Sequence, residues 1–336
     1  MQYSHFLGLD VSKATLNYCL IAQGQPLAQG QVKNDTTKVV SLIETLGQRH
    51  DFGLDQLLVC CENTGHYTHP LLAIKAKLEV DLWCEDPLQL SRSCGRQRTK
   101  TDTYDARMIA DYAYRHSDKA DLYELPSQAL ALVCELKGLR SQLVDCKKSL
   151  SVSLKERSAF LLYKSTSLSA AERVIQKVLD EFKSAIKALE KQILDAIAED
   201  EKLKGIYELT RSVPGMGPVT AIEVIVTTGC YRKIPTARKA ACYAGIAPHR
   251  RQSGTSLNQL GRCGKGHVGL KTALHQSCHC LIGSDNLFRD FYRRKREEKQ
   301  NYLQAINAVR NKLLHVVYSC VQNGRPYDKK VHQGLA

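Results

Sequence analysis

The sequence predicts an α/β domain followed by a mostly helical remainder, and three observations support this division. Short apolar runs separated by turns fill the first hundred residues, as in a sheet with connecting helices. Longer segments with helical periodicity follow. Residues 1–210 carry 27 Lys and Arg against 28 Asp and Glu, whereas residues 211–336 carry 21 against 6. We therefore expect three parts, at residues 1–130, 131–205 and 206–336.

The charge of the last third indicates a polyanionic partner. The chain carries a formal net charge of +14, and the excess arises from residues 211–336. Concentrated positive charge favours nucleic acid over a membrane surface, because no basic segment with a bulky apolar face accompanies it. A merely well-solvated surface is the alternative. No apolar run is long enough to span a bilayer, which also argues against a membrane partner.

The thirteen cysteines favour a reducing compartment over a disulfide framework. The first ten residues read as a strand rather than a signal peptide, so we expect a cytoplasmic protein whose thiols pack as small core hydrophobes. One group has zinc-ligating side chains but lacks the usual pair of C-x-x-C knuckles, so we favour a structural role for it. Its members are Cys263, His267, His275, Cys278 and Cys280.

Three strands open the first domain and carry the first candidate site residue. Residues 3–9 predict a buried strand that ends at Asp10, and Thr15–Ala22 predicts a second strand. A third strand closes at Lys33, and the capping cluster that follows predicts a helix to about His50.

Glu62 repeats the position of Asp10 at the end of a strand. The apolar run Leu57–Cys61 precedes it, and a turn then leads into a predicted helix through Leu78. A short strand at Val80–Cys84 and a further helix follow. Because open α/β sheets bind ligands beyond their strand ends, both acids are candidate site residues.

Two further carboxylates, Asp102 and Asp105, stand at the start of a predicted helix. A spacing of three residues puts them on one helical face, which suits a divalent metal with oxygen ligands. The alternative is that both aspartates only complement the helix dipole. Convergence with the acids at the two strand ends favours the metal site. Cations that suit a phosphate-bearing substrate flank the pair, namely Arg98, Lys100 and Arg107.

The middle of the chain predicts two long helices. The first runs from Leu130 to about Leu162, and Ser169 with Glu172 forms a capping box for the second. The second helix carries an a/d heptad seam. This seam packs either against the preceding helix in an intramolecular hairpin or against another subunit, and we favour the subunit contact. The seam consists of Ile175, Leu179, Phe182, Ile186, Leu189, Ile193 and Ala196.

The basic third opens with a P-G-x-G turn that contains Gly215 and Gly217. Small residues at a turn between helices let backbone N–H groups approach a phosphate. A close helix turn without a ligand explains the motif equally well. Further along, residues 268–282, 287–299 and 303–322 predict helices, and the second of them carries a basic ridge.

A glycine-rich, cationic loop occupies residues 240–267. It lacks hydrophobic periodicity and suits a phosphate backbone. Its hydroxyl groups belong to Ser253, Thr255 and Ser256. Because most loop serines only satisfy turns, composition alone does not single out Ser253 as a nucleophile.

Several motifs, taken in order, are typical of one family. They are Gly8-Leu-Asp10, Cys61-Glu62-Asn-Thr-Gly65, Lys100-Thr-Asp102-Thr-Tyr-Asp105-Ala-Arg107, Val213-Pro-Gly-Met-Gly217, Tyr243-Ala-Gly245-Ile-Ala-Pro248 and Gln252-Ser253-Gly254. Over nearly the whole chain the sequence resembles the DEDD-type insertion-sequence transposases of the IS110 family, which includes Piv-like DNA invertases and bridge-RNA-guided recombinases. The order of strands, helices and acids likewise resembles the ribonuclease-H-like (RuvC-like) nuclease fold.

The resemblance implies a DNA transposase or recombinase with a RuvC-like first domain, a helical coiled-coil middle for oligomerisation and a mostly helical, basic transposase domain. It implies that Asp10, Glu62, Asp102 and Asp105 bind two Mg²⁺ ions, with Mn²⁺ as an alternative. It also implies that Ser253 attacks DNA and forms a covalent phosphoserine link. No Ser-His-Asp set stands near this serine, so the acidic crevice supplies its activation, and in the family that crevice docks against the serine domain of another subunit.

The same resemblance implies double-stranded target and donor DNA, a bridge RNA that pairs with both, and a homodimer or homotetramer in the bacterial cytoplasm, associated with the nucleoid. The loop Asn258–Gly266 departs from the family pattern, as does His249, to which we assign no catalytic role. Candidate nucleic-acid contacts combine basic residues with the two turn glycines, and they are Arg98, Lys100, Arg107, Gly215, Gly217, Arg250, Arg251, Arg262, Lys265, Arg293, Arg294 and Arg296.

Two other functions fit part of the sequence. A metal-only RuvC-like nuclease or Holliday-junction resolvase needs the four acids but not Ser253, and it leaves hydrolysed ends. A non-catalytic nucleic-acid-binding protein needs only the basic surface.

Overall fold

A computed structural model describes the chain except for short gaps. The described residues are 3–93, 102–159, 166–247, 249–253, 257–261, 266–298 and 300–333. The chain divides into two units, residues 1–125 and 126–336. The expected three-part division stays a prediction.

The first unit is built on a mixed five-stranded sheet, in the order β3-β2-β1-β4-β5. Its strands are β1 His5–Val11, β2 Thr15–Ala22, β3 Gln25–Lys33, β4 Leu57–Glu62 and β5 Asp81–Glu85. β1 and β2 are antiparallel, as are β2 and β3, whereas β4 runs parallel to both β1 and β5. The predicted strands are confirmed, although β3 begins well before the segment that the sequence indicated.

Helices cover both faces of this sheet. They are α1 Thr36–His50, α2 His69–Leu72, α3 Pro87–Ser93 and α4 Asp102–His116. The prediction for α1 is confirmed, and the Asp35 side chain caps it by accepting from the N–H groups of Thr37 and Lys38.

The predicted helix through Leu78 is wrong. Only the single turn of α2 is α-helical there, with 3₁₀ turns on either side at Gly65–Thr68 and Ala73–Ala76. Pro70 stands at the first turn of α2. A proline lacks the N–H that a helix begun at Gly65 would need at this position, so the helix can only start afresh here.

The alternation of side chains along β1 separates two cores. Leu7 and Leu9 lie on the face covered by α1, in a cluster that includes Val39 and Ile43. Phe6 lies on the opposite face, in a cluster that includes Ile109 of α4. Gly8 shares this second face because it is two residues from Phe6.

α4 packs its backbone directly on β1. A Cβ atom built on Gly8 would lie 2.3 Å from both the Ala106 carbonyl oxygen and the Ala110 nitrogen. Two residues earlier in β1, the Phe6 ring meets the Tyr114 ring edge-to-face at 5.3 Å between centroids. Contacts therefore move toward the start of α4 as β1 advances, so the N-terminus of α4 lies beside the C-terminal end of β1.

The second unit is mostly helical and contains one β-hairpin in its described residues. The helices are α5 Gln128–Ala159, α6 Thr166–Ala198, α7 Glu201–Arg211, α8 Pro218–Thr228, α9 Ala237–Tyr243, α10 Val268–Ile282, α11 Leu287–Glu297, α12 Tyr302–Gln322 and α13 Lys329–Gln333, and the hairpin strands are β6 His249–Ser253 and β7 Leu257–Gly261. Two expectations are corrected. Ser169 lies inside α6 rather than at its cap, and the predicted loop at residues 240–267 includes the end of α9 and the hairpin.

α5 and α6 form an antiparallel hairpin. Arg140 of α5 lies 2.7 Å from the Glu190 carboxylate of α6, and further along, the Ser127 hydroxyl donates to Asp200 at 2.8 Å. Part of the heptad seam, including Ile193, is buried against α5 residues such as Val133. The intramolecular packing of the seam is therefore observed, and its use between subunits stays a prediction.

α12 forms the centre of the second unit. Its residues Val309, Leu313 and Val317 are fully buried in a cluster to which the neighbouring helices contribute. The buried Tyr318 hydroxyl donates to the Ile234 carbonyl at 2.7 Å, which ties α12 to the segment before α9. None of the described helices is long and apolar enough to cross a membrane.

We expect Gly8→Ala to destabilise the first unit by about 1–3 kcal/mol, because the added methyl group would overlap backbone atoms of α4 that cannot rotate away. Urea unfolding of the full chain measures the change.

Gly138→Ala is the matched control. A Cβ atom at Gly138, inside α5, meets nothing within 4 Å, so this change should stabilise by about 0.5–1 kcal/mol. Equal effects of the two substitutions would contradict the packing of α4 on β1.

Candidate active site

A row of polar side chains crosses the sheet of the first unit, with one residue on each strand. Asp10 pairs with Asn17, Asn17 with Gln31, and Glu62 with Glu85 in the strand registers. Asp10 and Glu62 follow directly after the last paired residues of the parallel strands β1 and β4. From edge to edge, this polar row is Gln31, Asn17, Asp10, Glu62 and Glu85.

The polar row faces α4. Asp10 is two residues beyond Gly8 on β1, and Glu62 is two residues beyond Cys60 on β4, whose side chain lies in the α4-facing core. On β5, the Tyr112 hydroxyl of α4 donates to Glu85 at 2.9 Å. Because neighbouring strands are about 4.8 Å apart, three carboxylates stand side by side at one end of the sheet.

The start of α4 belongs to the same end of the sheet. Ala106 lies over Gly8, the half-buried Asp105 directly precedes it, and Asp102 is one helical turn earlier. The backbone therefore brings all four predicted acids to one region. The side chain of Asp102 is not among those described, as is also true of Arg98 and Lys100 in the preceding segment.

Glu85 is fixed more firmly than a surface acid. One of its carboxylate oxygens accepts from the Asp86 N–H at 2.8 Å, and the other accepts from the Tyr112 hydroxyl. Burial, and to a lesser extent this carboxylate, raises the pKa of the Cys60 thiol well above its usual value. The thiol next to the row is therefore neutral near pH 7.

Sequence reasoning missed Glu85 and Asn17 as members of the row. Glu85 follows an apolar run just as Glu62 does, so the strand-end rule that selected Glu62 would have selected it too. Asn17 lies inside a strand, and only the register with β1 shows that it stands opposite Asp10. No local signal marks that pairing.

The hairpin formed by β6 and β7 carries Ser253 at the end of its first strand, opposite Leu257. The side chains of this hairpin are not among those described. The composition of this segment, rich in glycine and cations, gave no sign of the regular antiparallel pairing between residues 249–253 and 257–261.

The base of the hairpin is held together by two glycines. A Cβ atom at Gly266 would lie 2.7 Å from the Ala244 carbonyl and from the Gly245 Cα. The His267 N–H donates to the Tyr243 carbonyl at 2.8 Å, and the two rings stack at 5.4 Å. The chain entering the hairpin therefore contacts the chain leaving it.

A buried acidic residue lies next to the base of the hairpin. Glu223 of α8 is 8% exposed, and its carboxylate lies 2.8 Å from the Lys137 ammonium of α5. His267 Nδ1 lies 3.8 Å from the same carboxylate and accepts from the Leu270 N–H at the start of α10. Burial lowers the pKa of His267, so the ring is mostly neutral near pH 7 and caps the helix as an acceptor.

The P-G-x-G turn joins α7 to α8, as expected. Gly215 has a φ of +83°, and a Cβ atom there would lie 2.6 Å from Leu281 Cγ of α10. The fold therefore requires glycine at this position without any ligand. Gly217 is the residue before α8, and a phosphate contact at this turn stays a prediction.

The basic ridge on α11 is exposed. Arg293, Arg294 and Arg296 are all solvent-accessible, and the Arg294 guanidinium lies 5.2 Å from the centre of the Phe291 ring. Arg107 on α4 is exposed as well. The remaining predicted cations fall on undescribed residues or side chains, namely Arg98, Lys100, Arg250, Arg251, Arg262 and Lys265.

The Cys/His group is not assembled in the described part of the chain. No three of its described ligand atoms lie within 4.8 Å of one another. The His275 Nδ1 atom contacts the Arg310 guanidinium, and burial together with this cation lowers the pKa of His275. A guanidinium beside a ring nitrogen disfavours a second cation there. Cys263 lies outside the described residues.

Relatives align with most of the chain. The pilin gene-inverting protein of Moraxella bovis is 26% identical over 335 residues, which cover 98% of this chain and 99% of that protein. The insertion element IS116 protein of Streptomyces clavuligerus is 23% identical and covers 95% of both chains. The insertion element IS110 protein of Streptomyces coelicolor is 32% identical over 44% of this chain and 36% of its own length.

Family models match the regions that contain the predicted catalytic residues. Residues 7–157 match the model for DEDD-type IS110 transposases, described as "Transposase". Residues 207–293 match "Transposase IS116/IS110/IS902 family". By class the protein is therefore a transposase. It belongs to the IS110 family, as the motifs around Asp10, Asp102 and Ser253 indicate.

We expect Glu223→Gln to destabilise the chain by about 1–3 kcal/mol, because it leaves the Lys137 ammonium without an anionic partner at a largely buried position. Urea unfolding again measures the difference.

Glu201→Gln provides the comparison. Glu201 pairs with Lys204 at 3.5 Å but its side chain is 85% exposed, so its replacement should change stability by less than about 0.5 kcal/mol. A loss at Glu223 no larger than the loss at Glu201 would argue against the supporting role of the buried acid.

Proposed function

We propose that this transposase cuts and exchanges DNA strands through a covalent phosphoserine intermediate, with Ser253 as the nucleophile and a RuvC-like acidic site as its metal-binding partner. The observation that supports this most directly is the polar row. It sets Asp10 and Glu62 on adjacent strand ends, next to the helix start that carries Asp102 and Asp105.

The donor set fits Mg²⁺. Carboxylates on neighbouring strands repel one another, and a hard divalent cation with oxygen ligands offsets that repulsion. In this proposal Asp10, Glu62, Asp102 and Asp105 hold two Mg²⁺ ions, and Mn²⁺ substitutes for them. When bound, such ions stabilise the charge on the attacking and leaving oxygens of a phosphoryl transfer.

The serine step conserves the energy of the phosphodiester bond. The Ser253 hydroxyl loses its proton, its oxygen bonds to phosphorus, and the bond from phosphorus to one deoxyribose oxygen breaks. That oxygen takes a proton and leaves as a free hydroxyl. Attack by a hydroxyl of the exchanged strand on the phosphoserine then reverses these changes, so strands are resealed without ATP.

Assembly completes the site in this proposal. The serine hairpin of one subunit meets the acidic site of another in a homodimer or homotetramer. The α6 seam, together with the exposed Val174 and Val178 beside it, contributes coiled-coil contacts between subunits.

DNA is the substrate, and a bridge RNA pairing with target and donor DNA supplies sequence specificity. The exposed arginines of α11 contact phosphates without reading sequence, which suits a protein whose specificity comes from base pairing. The name of the Moraxella relative describes inversion of a pilin gene, and inversion and insertion are both exchanges that the proposed chemistry permits.

A metal-only nuclease is the second candidate, because the polar row by itself would serve hydrolysis without Ser253. The two candidates differ in their products. Only the serine mechanism leaves protein covalently joined to DNA.

We expect Ser253→Ala to abolish a denaturation-resistant protein–DNA adduct and to lower recombination by a factor of about 10³ or more, because the nucleophile is removed. Asp105→Asn should abolish adduct formation too, since it removes a metal ligand. Gel analysis of denatured reactions and counting of recombined plasmids measure both effects.

Thr255→Ala is the matched control and should retain the adduct. Adduct formation by Ser253→Ala would exclude the nucleophile assignment. Hydrolysed ends from the unaltered protein without any adduct, together with loss of cleavage in Asp102→Asn alone, would favour the metal-only nuclease. Unchanged function after Asp10 and Asp105 are both replaced by Asn would favour a non-catalytic binding protein.

We also expect the protein purified from its host to carry a discrete RNA. Ribonuclease treatment should stop recombination, and the same RNA made synthetically should restore it, because target choice depends on base pairing. Sequencing of the bound RNA and a recombination assay test this. Recombination that survives ribonuclease, with no discrete RNA bound, would refute guidance.

A further inference from the structure

Asn17 is a buried amide beside the candidate metal site. Its side chain is 6% exposed, and it stands on β2 directly opposite Asp10 of β1. The Nδ2 atom is fully enclosed and has no hydrogen-bond partner among the described residues. An enclosed amide without a partner costs about 1–3 kcal/mol, so its retention here calls for a role.

Gln31 determines the direction of this amide. The Gln31 Nε2 group on β3 donates to the Asn17 Oδ1 atom at 3.2 Å. Because the oxygen end of the amide turns toward β3, the Nδ2 end turns away from it, toward β1. Directly opposed residues of an antiparallel pair have Cβ atoms about 4.5–5.5 Å apart, which lets an asparagine amide reach an aspartate carboxylate.

We propose that Asn17 is a positioning residue for the metal site. Its Nδ2 group donates to one oxygen of the Asp10 carboxylate in the metal-loaded protein and leaves the other oxygen for the ion. Gln31, Asn17 and Asp10 then form a chain of hydrogen bonds across three strands. This inference rests on the proposed function, in which Asp10 is a metal ligand.

The enclosure of Nδ2 selects Asp10 over other acceptors. An atom without access to solvent does not contact a DNA phosphate, which arrives from outside the fold. Partners that orient a ligating carboxylate in this way typically contribute tenfold to a hundredfold to metal affinity.

The test measures Mn²⁺ binding to the full-length protein without DNA by isothermal titration calorimetry. Asn17→Leu keeps the approximate volume and removes the donor, so we expect Mn²⁺ affinity to fall by about tenfold to a hundredfold. Gln31→Leu should lower it by a smaller factor, because the amide loses only its orientation. Urea unfolding checks that both variants fold.

Gln29→Leu is the matched control. Gln29 is two residues before Gln31 on β3 and faces the same side of the sheet. It pairs with Cys19 of β2, and its side chain donates to the Cys19 thiol at 3.4 Å. Its replacement should change Mn²⁺ affinity by less than about twofold, since Cys19 is not a proposed ligand.

The Asp10→Asn variant distinguishes failure of the positioning role from failure of the proposed metal site. Binding that is lost in Asp10→Asn but unchanged in Asn17→Leu would overturn the positioning role and leave the metal site intact. Absence of Mn²⁺ binding in the unaltered protein would overturn the positioning role and the proposed metal site together. Where Asn17→Leu does not fold, unchanged affinity in Gln31→Leu would overturn the inference.

Discussion

The contact between the α4 backbone and β1 at Gly8 is the constraint on which the first unit depends. No side chain separates helix from strand there, so the depth and direction of α4 are fixed by backbone atoms. The start of α4 consequently lies beside the C-terminal ends of β1 and β4. Metal sites need ligands from separate elements held within fractions of an ångström, and a helix seated directly on a strand meets that need better than a loop does.

Close backbone packing at a glycine also occurs in the second unit, at the base of the hairpin. Gly266 lies against Gly245 and so closes the base of the hairpin that carries Ser253, while the ion pair of Glu223 with Lys137 lies beside the adjoining His267. A hairpin of two short strands is only marginally stable on its own. Contacts at its base therefore contribute to the stability of the hairpin that carries the serine.

Much of the sheet and its acids was predictable because buried strands leave a strong local pattern. Asp10 and Glu62 were found by their position after apolar runs, and the start of α1 was found from the cluster of capping residues before it. The helix through Leu78 failed because Pro70 outweighed its apolar spacing, and Ser169 was misplaced because capping residues also occur inside helices. The place of Asn17 opposite Asp10 was not predictable, since it depends on strand register, which side-chain pattern alone does not give.

The polar row depends on the two-residue alternation of side chains along each strand. Asp10, Glu62 and Glu85 face α4 because each stands two residues beyond a position that packs against α4 on its own strand. An evolutionary insertion of one residue within β1 would turn Asp10 toward α1, whereas an insertion of two would return it to the same face. Insertions within these strands therefore preserve the row only in steps of two residues, and the start of α4 has to keep its place over Gly8.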